Sequence, residues 1–150
     1  MHLQEGGKAL KKDPLRSYRE TQVLTATQGK LILMLYDGAV KNINQACEYL
    51  KEKHRKYDQI SSIILKAQDI VAELMVSLDF ENGGEIAKNL FDIYMFMNRQ
   101  LLEGNIRKDE KILGSVRKML LELRSAWAQI AEKKNVEGRA RATGGVNIAG

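Results

Sequence analysis

Four consecutive stretches of the chain repeat apolar residues at alternating intervals of four and three. Ile60, Ile64, Ala67, Val71, Leu74 and Leu78 form one series, and Leu113, Val116, Leu120, Leu123, Trp127 and Ile130 form another. Ile32, Leu35, Ala39, Ile43, Ala46 and Leu50 come earlier, and Ile86, Leu90, Ile93, Met97 and Leu101 lie between. Such spacing puts each series on one stripe of a helix. Four amphipathic helices hide their stripes most simply against one another. The pattern therefore predicts an all-α fold, a four-helix bundle.

Local signals place the ends. Thr25-Ala26-Thr27-Gln28 reads as a capping box, in which a Thr hydroxyl and the Gln28 amide each take a free backbone N–H. The first helix is expected over about 28–54, the second over about 57–78 and the third over about 85–106. Asp79-Phe80-Glu81-Asn82-Gly83-Gly84 supplies the turn between the second and third. Gly104-Asn105 weakens the end of the third. Asp109 suits the N-cap of a fourth helix running to about Lys134, where Lys133 and Lys134 favour the negative end of the helix dipole. Connections this short make neighbours antiparallel, in up-down order. Residues 1–14, ending at the only proline, read as a flexible extension, and residues 135–150 as a flexible tail. Residues 15–27 carry Leu15, Tyr18, Val23 and Leu24 and read as an N-terminal capping segment on a bundle domain of residues 15–134.

Composition narrows the functional classes. A chain of 150 residues is one domain with room for a real core. Its net charge of +5 resides in the two ends: residues 1–17 hold four basic and two acidic side chains, residues 133–150 four and one, and 18–132 is neutral. A nucleic-acid reader gathers its charge on a folded face, so nucleic acid is not an expected partner. The longest apolar run, Leu31 to Tyr36, is far too short to enter a bilayer, and no signal-peptide core opens the chain. The cytoplasm is the expected compartment.

The chemistry inventory is thin. The single cysteine, Cys47, lies beside the first stripe and reads as a small buried filler, with no histidine or basic cluster to activate it. Di-iron bundles need Glu-x-x-His pairs, and none occurs. His54 sits among Lys51, Lys53, Arg55 and Lys56, a poor place for a haem ligand. Asp37, Asp69 and Asp92 fall outside the stripes, and Ser61, Ser62 and Ser115 have no His/Asp partners in view. No metal, cofactor or catalytic residue is expected.

The pattern leaves more apolar residues than four stripes need. Phe91, Tyr94, Met95 and Leu102 lie on or near a second stripe of the third helix. Ile63 and Ile70 add to the second helix, and Leu31 and Met34 to the first. Part of this set widens the core, because globular bundles bury more than a strict seam. The rest is expected to line a groove covered by residues 15–27, by a second copy in a homodimer, or by a partner helix.

An ordered set of motifs completes the picture. Tyr18, Gln22, Val23, Thr25 and Ala26 are followed by Leu31-Ile32-Leu33-Met34-Leu35-Tyr36-Asp37-Gly38-Ala39. Ser77-Leu78-Asp79, Gly83-Gly84-Glu85-Ile86-Ala87, Asn89-Leu90, Tyr94, Met97 and Leu123-Arg124 with Ala126-Trp127 follow in order. Over residues 18–132 this resembles the flagellar secretion chaperone family, FliS. The resemblance implies a chaperone that binds the disordered C-terminal segment of flagellin, prevents premature polymerisation and aids delivery to the export machinery. It implies that Tyr18, Gln22, Val23 and Leu24 form an N-terminal cap, and we expect residues 15–24 to act as a lid over the groove. Leu35, Tyr36, Leu78, Leu90, Tyr94 and Trp127 also match the family pattern, and core packing accounts for them. The alternative is a helical adaptor or dimerisation module with a different protein partner.

Overall fold

The computed structural model describes residues 28–149, with side chains described through residue 133. It contains α1 (Gln28–Leu50), α2 (Tyr57–Val76), α3 (Phe80–Arg107) and α4 (Glu110–Ala149). The described residues divide into two compact units, 33–126 and 28–32 with 127–149. The expected capping box and N-terminal cap, Tyr18, Gln22, Val23 and Leu24, lie outside the described residues.

Within 33–126 every neighbouring pair of helices is antiparallel. Gln68 of α2 meets Asn98 of α3, and Ser61 meets Asn105, one heptad down one helix and up the other. On the other side, Asp37, Asn44 and Lys51 of α1 meet Arg124, Arg117 and Glu110 of α4 in the same stepwise way. A Cβ added at Gly38 of α1 would stand 3.2 Å from Ile70 Cδ1 of α2, so α1 and α2 are adjacent. These contacts close the ring of an up-down four-helix bundle.

The core confirms the stripe of α2 and much of those of its neighbours, with individual positions moved. Ile60, Ile64, Ala67, Val71 and Leu74 are all buried, with Ile63 beside them. In α4 Leu113, Val116 and Leu120 are buried, whereas Leu123 and Trp127 are half-buried and Ile130 is exposed. In α1 the stripe runs Tyr36, Ala39, Ile43, Ala46, Cys47 and Leu50, leaving Ile32 and Leu35 half-buried. In α3 Ile86 is 70% exposed, and the core takes Ala87, Tyr94, Met97, Leu101 and Gly104. Met97 and Leu101 stay on the expected stripe, while Ala87 and Tyr94 take the places of Ile86 and Ile93, one residue or 100° around the helix. Asp79 caps a first turn by accepting from the Asn82 N–H at 3.1 Å, and Gly84 then interrupts the helix with φ 50° and ψ −123°. The break falls before Ile86, at the expected start of the third helix.

The helix ends follow side-chain chemistry. α1 stops at Leu50, four residues before the expected end, with tight i→i−3 bonds from the Lys51 and Glu52 N–H groups. Lys51, Lys53, Arg55 and Lys56 would otherwise crowd like charges on one helical turn or the next. α2 stops at Val76, so Leu78 lies beyond it, half-buried rather than in the stripe. α3 ends at Lys108, whose backbone is left-handed at φ 51°. The Lys108 ammonium compensates by donating to the Asn105 carbonyl at 2.7 Å, to Asn105 Oδ1 at 2.8 Å and to Ser61 Oγ at 3.0 Å. Asp109 caps α4 as expected, accepting from the Lys111 N–H at 2.8 Å. Gly104, read from sequence as a weak last turn, has a packing role: a Cβ there would lie 2.8 Å from Leu113 Cδ2. The backbone of α4 stays helical to Ala149, fifteen residues past Lys134. Arg and Ala at 139–142 are good helix formers, and α4 runs on through Gly144 and Gly145.

Candidate interaction face

Neither the tyrosine pair nor the cysteine in the bundle interior is a reactive centre. Tyr36 and Tyr94 meet hydroxyl to hydroxyl at 2.5 Å, linking α1 to α3. Their rings are tilted by 56° with centroids 6.4 Å apart. Cys47 is buried, and loss of water around the thiol pushes its pKa up, against the pull of Arg117. Such a thiol is a poor nucleophile. Among the described residues no group of His, Cys, Asp and Glu side chains could hold a metal ion, and no helix is long and apolar enough to cross a membrane. Asp37 and Asp69 are exposed, as is Asp92.

The surface separates into two kinds of seam. Between α1 and α4, Arg124 grips Asp37 with Nε at 2.5 Å and Nη2 at 3.1 Å, which raises the Arg124 pKa. Arg117 donates to Asn44 at 3.0 Å, and Lys51 pairs with Glu110 at 3.4 Å. Between α2 and α3 the polar contacts are neutral amides and a serine, with the Lys108 ammonium at one end donating to that serine. Helical spacing sets apolar side chains alongside. Ser61, Leu65 and Gln68 follow one another at four and three on α2, and Phe91, Met95, Asn98 and Leu102 at four, three and four on α3. Leu65 is 52% exposed, Leu102 50% and Met95 39%. Phe91 is half-buried and packs edge-on against Phe80, with ring centroids 5.9 Å apart.

The eight residues expected to line a groove therefore part company. Phe91, Met95 and Leu102 share the outer stripe of α3. Tyr94 is buried against Tyr36, and Ile63 is buried beside Ile64. Leu31 is buried as well. These three are core residues, because the buried faces of α1, α2 and α3 are wider than, or rotated from, an ideal seam. Ile70 is half-buried and fills the approach of α2 to Gly38. Met34 is exposed on α1. Leu65 was not anticipated, although its place between Ser61 and Gln68 carries the signal. Phe96 is exposed beneath Arg99, whose guanidinium stands 5.9 Å from the ring centroid.

The geometry defines an all-α bundle protein whose distinctive feature is an apolar outer face. Residues 11–134 match the family model described as Flagellar protein FliS. The chain is 36% identical over 121 residues to the flagellar secretion chaperone FliS of Salmonella typhimurium, covering 79% of this chain and 87% of that protein. It is 32% identical over 130 residues to the flagellar secretion chaperone FliS of Bacillus subtilis, covering 84% of this chain and 93% of that protein. With the counterpart in Vibrio cholerae it shares 33% identity over 113 residues, 74% of this chain and 80% of that protein. The chain belongs to the FliS family of flagellar secretion chaperones, which is not an enzyme family.

Proposed function

We propose that this chain binds the disordered C-terminal segment of flagellin in the cytoplasm, prevents its premature polymerisation and aids its delivery to the flagellar type III export apparatus. The observation that carries the reading is the apolar stripe on α3 in which Met95 and Leu102 are exposed and Phe91 half-buried, beside Leu65 of α2, on a chain of this family. A flexible apolar surface containing methionine can adapt to an irregular client. A disordered segment that folds on such a surface can bury roughly 1,000–3,000 Å² while losing about 2–5 kcal/mol to ordering, which gives tight yet releasable binding. Release then requires only a competing protein.

Calorimetric titration with a synthetic C-terminal flagellin segment tests the reading. Saturable one-to-one binding with a large negative heat-capacity change is expected. Met95→Asp with Leu102→Asp should abolish that heat while circular dichroism stays helical. A folded wild-type chain that gives no heat would overturn the proposal. Residues 15–24, outside the described residues, act on this reading as a lid over the stripe. Deleting residues 1–24 should then raise dye binding and client affinity; unchanged values of both would remove the lid.

A further inference from the structure

The seam between α2 and α3 has an unfinished hydrogen-bond pattern. Gln68 Nε2 donates to the Asn98 backbone carbonyl at 3.4 Å, and Asn98 Nδ2 donates to the Gln68 backbone carbonyl at 3.3 Å. The two amides thus clasp each other's helix through their nitrogens. Their oxygens, Gln68 Oε1 and Asn98 Oδ1, are buried and have no partner. The orientation is fixed by the clasp, since turning either amide over would set its oxygen against a carbonyl oxygen. Buried acceptors are nearly always satisfied, and an exception calls for an explanation. Both residues are half-buried as a whole while the two oxygens are fully covered, so a docking segment reaches them only as the amides swing outward. They interrupt the apolar stripe, with Met95 on one side of Asn98 and Leu102 on the other, and Leu65 three residues before Gln68.

We infer that Gln68 and Asn98 are register-setting acceptors for the client: on docking, their amide oxygens take hydrogen bonds from N–H groups of the incoming segment. This rests on the flagellin-binding reading above and adds a chemical requirement to it. An unbroken apolar stripe would accept an amphipathic helix at any offset of one turn. Two acceptors in its middle accept only a client stretch that has donors to give. The interior of a client helix has none on its backbone, because its N–H groups are used within the helix. The client therefore crosses Gln68 and Asn98 as extended chain, as the first turn of a helix, or with a donor side chain such as Asn, Gln, Lys or Arg at that point.

The test compares the wild-type chain with Gln68→Met/Asn98→Leu, which keeps side-chain volume and removes both acceptors, in titrations with the synthetic flagellin segment. Circular dichroism confirms the fold of each. Client binding is expected to weaken at least tenfold, with the melting temperature unchanged or higher. A folded variant that binds within fivefold of wild type overturns the inference and leaves the functional reading standing. A wild-type chain that does not bind overturns the functional reading and the inference with it. If the double variant does not fold, side-chain amide resonances of Gln68 and Asn98 in the wild-type protein decide. Movement of both pairs on client saturation supports the acceptor role, and unmoved resonances overturn it.

Discussion

The α1–α4 seam and the α2–α3 seam occupy equivalent places in the bundle and are finished differently. The first is closed by polar and ionic side chains at one-heptad steps: Asp37 with Arg124, Asn44 with Arg117, Lys51 with Glu110. Each group there keeps contact with water or with its partner, and nothing is left to offer. The second carries Leu65, Met95 and Leu102 in the open and two amide oxygens without donors. A helix pair stabilised by its own buried stripe does not need a complete outer seam. The incomplete one is where a binding protein has surface to spare.

The comparison can be tested first on α2 itself, where two adjacent residues, 100° apart, lie one in the core and one on the surface. Ile64 is fully buried and Leu65 is 52% exposed. Ile64→Ala should cost about 2–5 kcal/mol in denaturant unfolding, through lost burial and the cavity left behind. Leu65→Ala should cost no more than about 0.5 kcal/mol, while still weakening client binding. Equal costs would mean that the outer face of α2 is part of the core. Gly104→Val attacks the packing that α3 must keep with α4 while its other face stays open. The added carbons run into Leu113, and a loss of about 1–3 kcal/mol is expected by thermal melting.

The charged seam should respond more weakly. Asp37 is exposed and Arg124 partly so, and their pair should be worth about 0.2–1 kcal/mol in a double-mutant cycle and less as salt is raised. A larger, salt-independent coupling would show that this seam is a structural lock. The smallest effect belongs to the turn joining α2 to α3. Hydrogen bonds from the Asn82 backbone and side chain lower the Asp79 pKa in the folded chain. Both states are ionised at neutral pH, so its contribution is complete there. Below the ordinary carboxylate range the unfolded chain takes up its proton first, and the contribution fades until the folded carboxyl is protonated too. Asp79→Asn should flatten that part of the acid-unfolding curve without shifting the neutral plateau downward by more than the cap itself.

Much of this protein was legible from side-chain order alone. The buried residues of α2 other than Ile63 fall on the expected stripe, and that helix has no internal break. The Asp109 cap and the antiparallel order follow from short-range chemistry and short connections, which act within a few residues of chain. The family itself is written in motifs such as Leu35-Tyr36-Asp37-Gly38-Ala39. The faces of α1 and α3 were a different matter. A one-residue shift rotates a helix by 100°, and periodicity alone did not separate Tyr36 from Leu35 or Tyr94 from Ile93. A contact between residues far apart in the chain settled it: the meeting of the Tyr36 and Tyr94 hydroxyls. The same holds for the interaction face. Sequence placed Phe91, Met95 and Leu102 on one stripe, but the pairing of α2 with α3 brought Leu65 and Gln68 beside them and left two amide oxygens without donors. Local pattern determines which residues form a helix; packing between helices, which depends on contacts far apart in the chain, decides which face of it remains open.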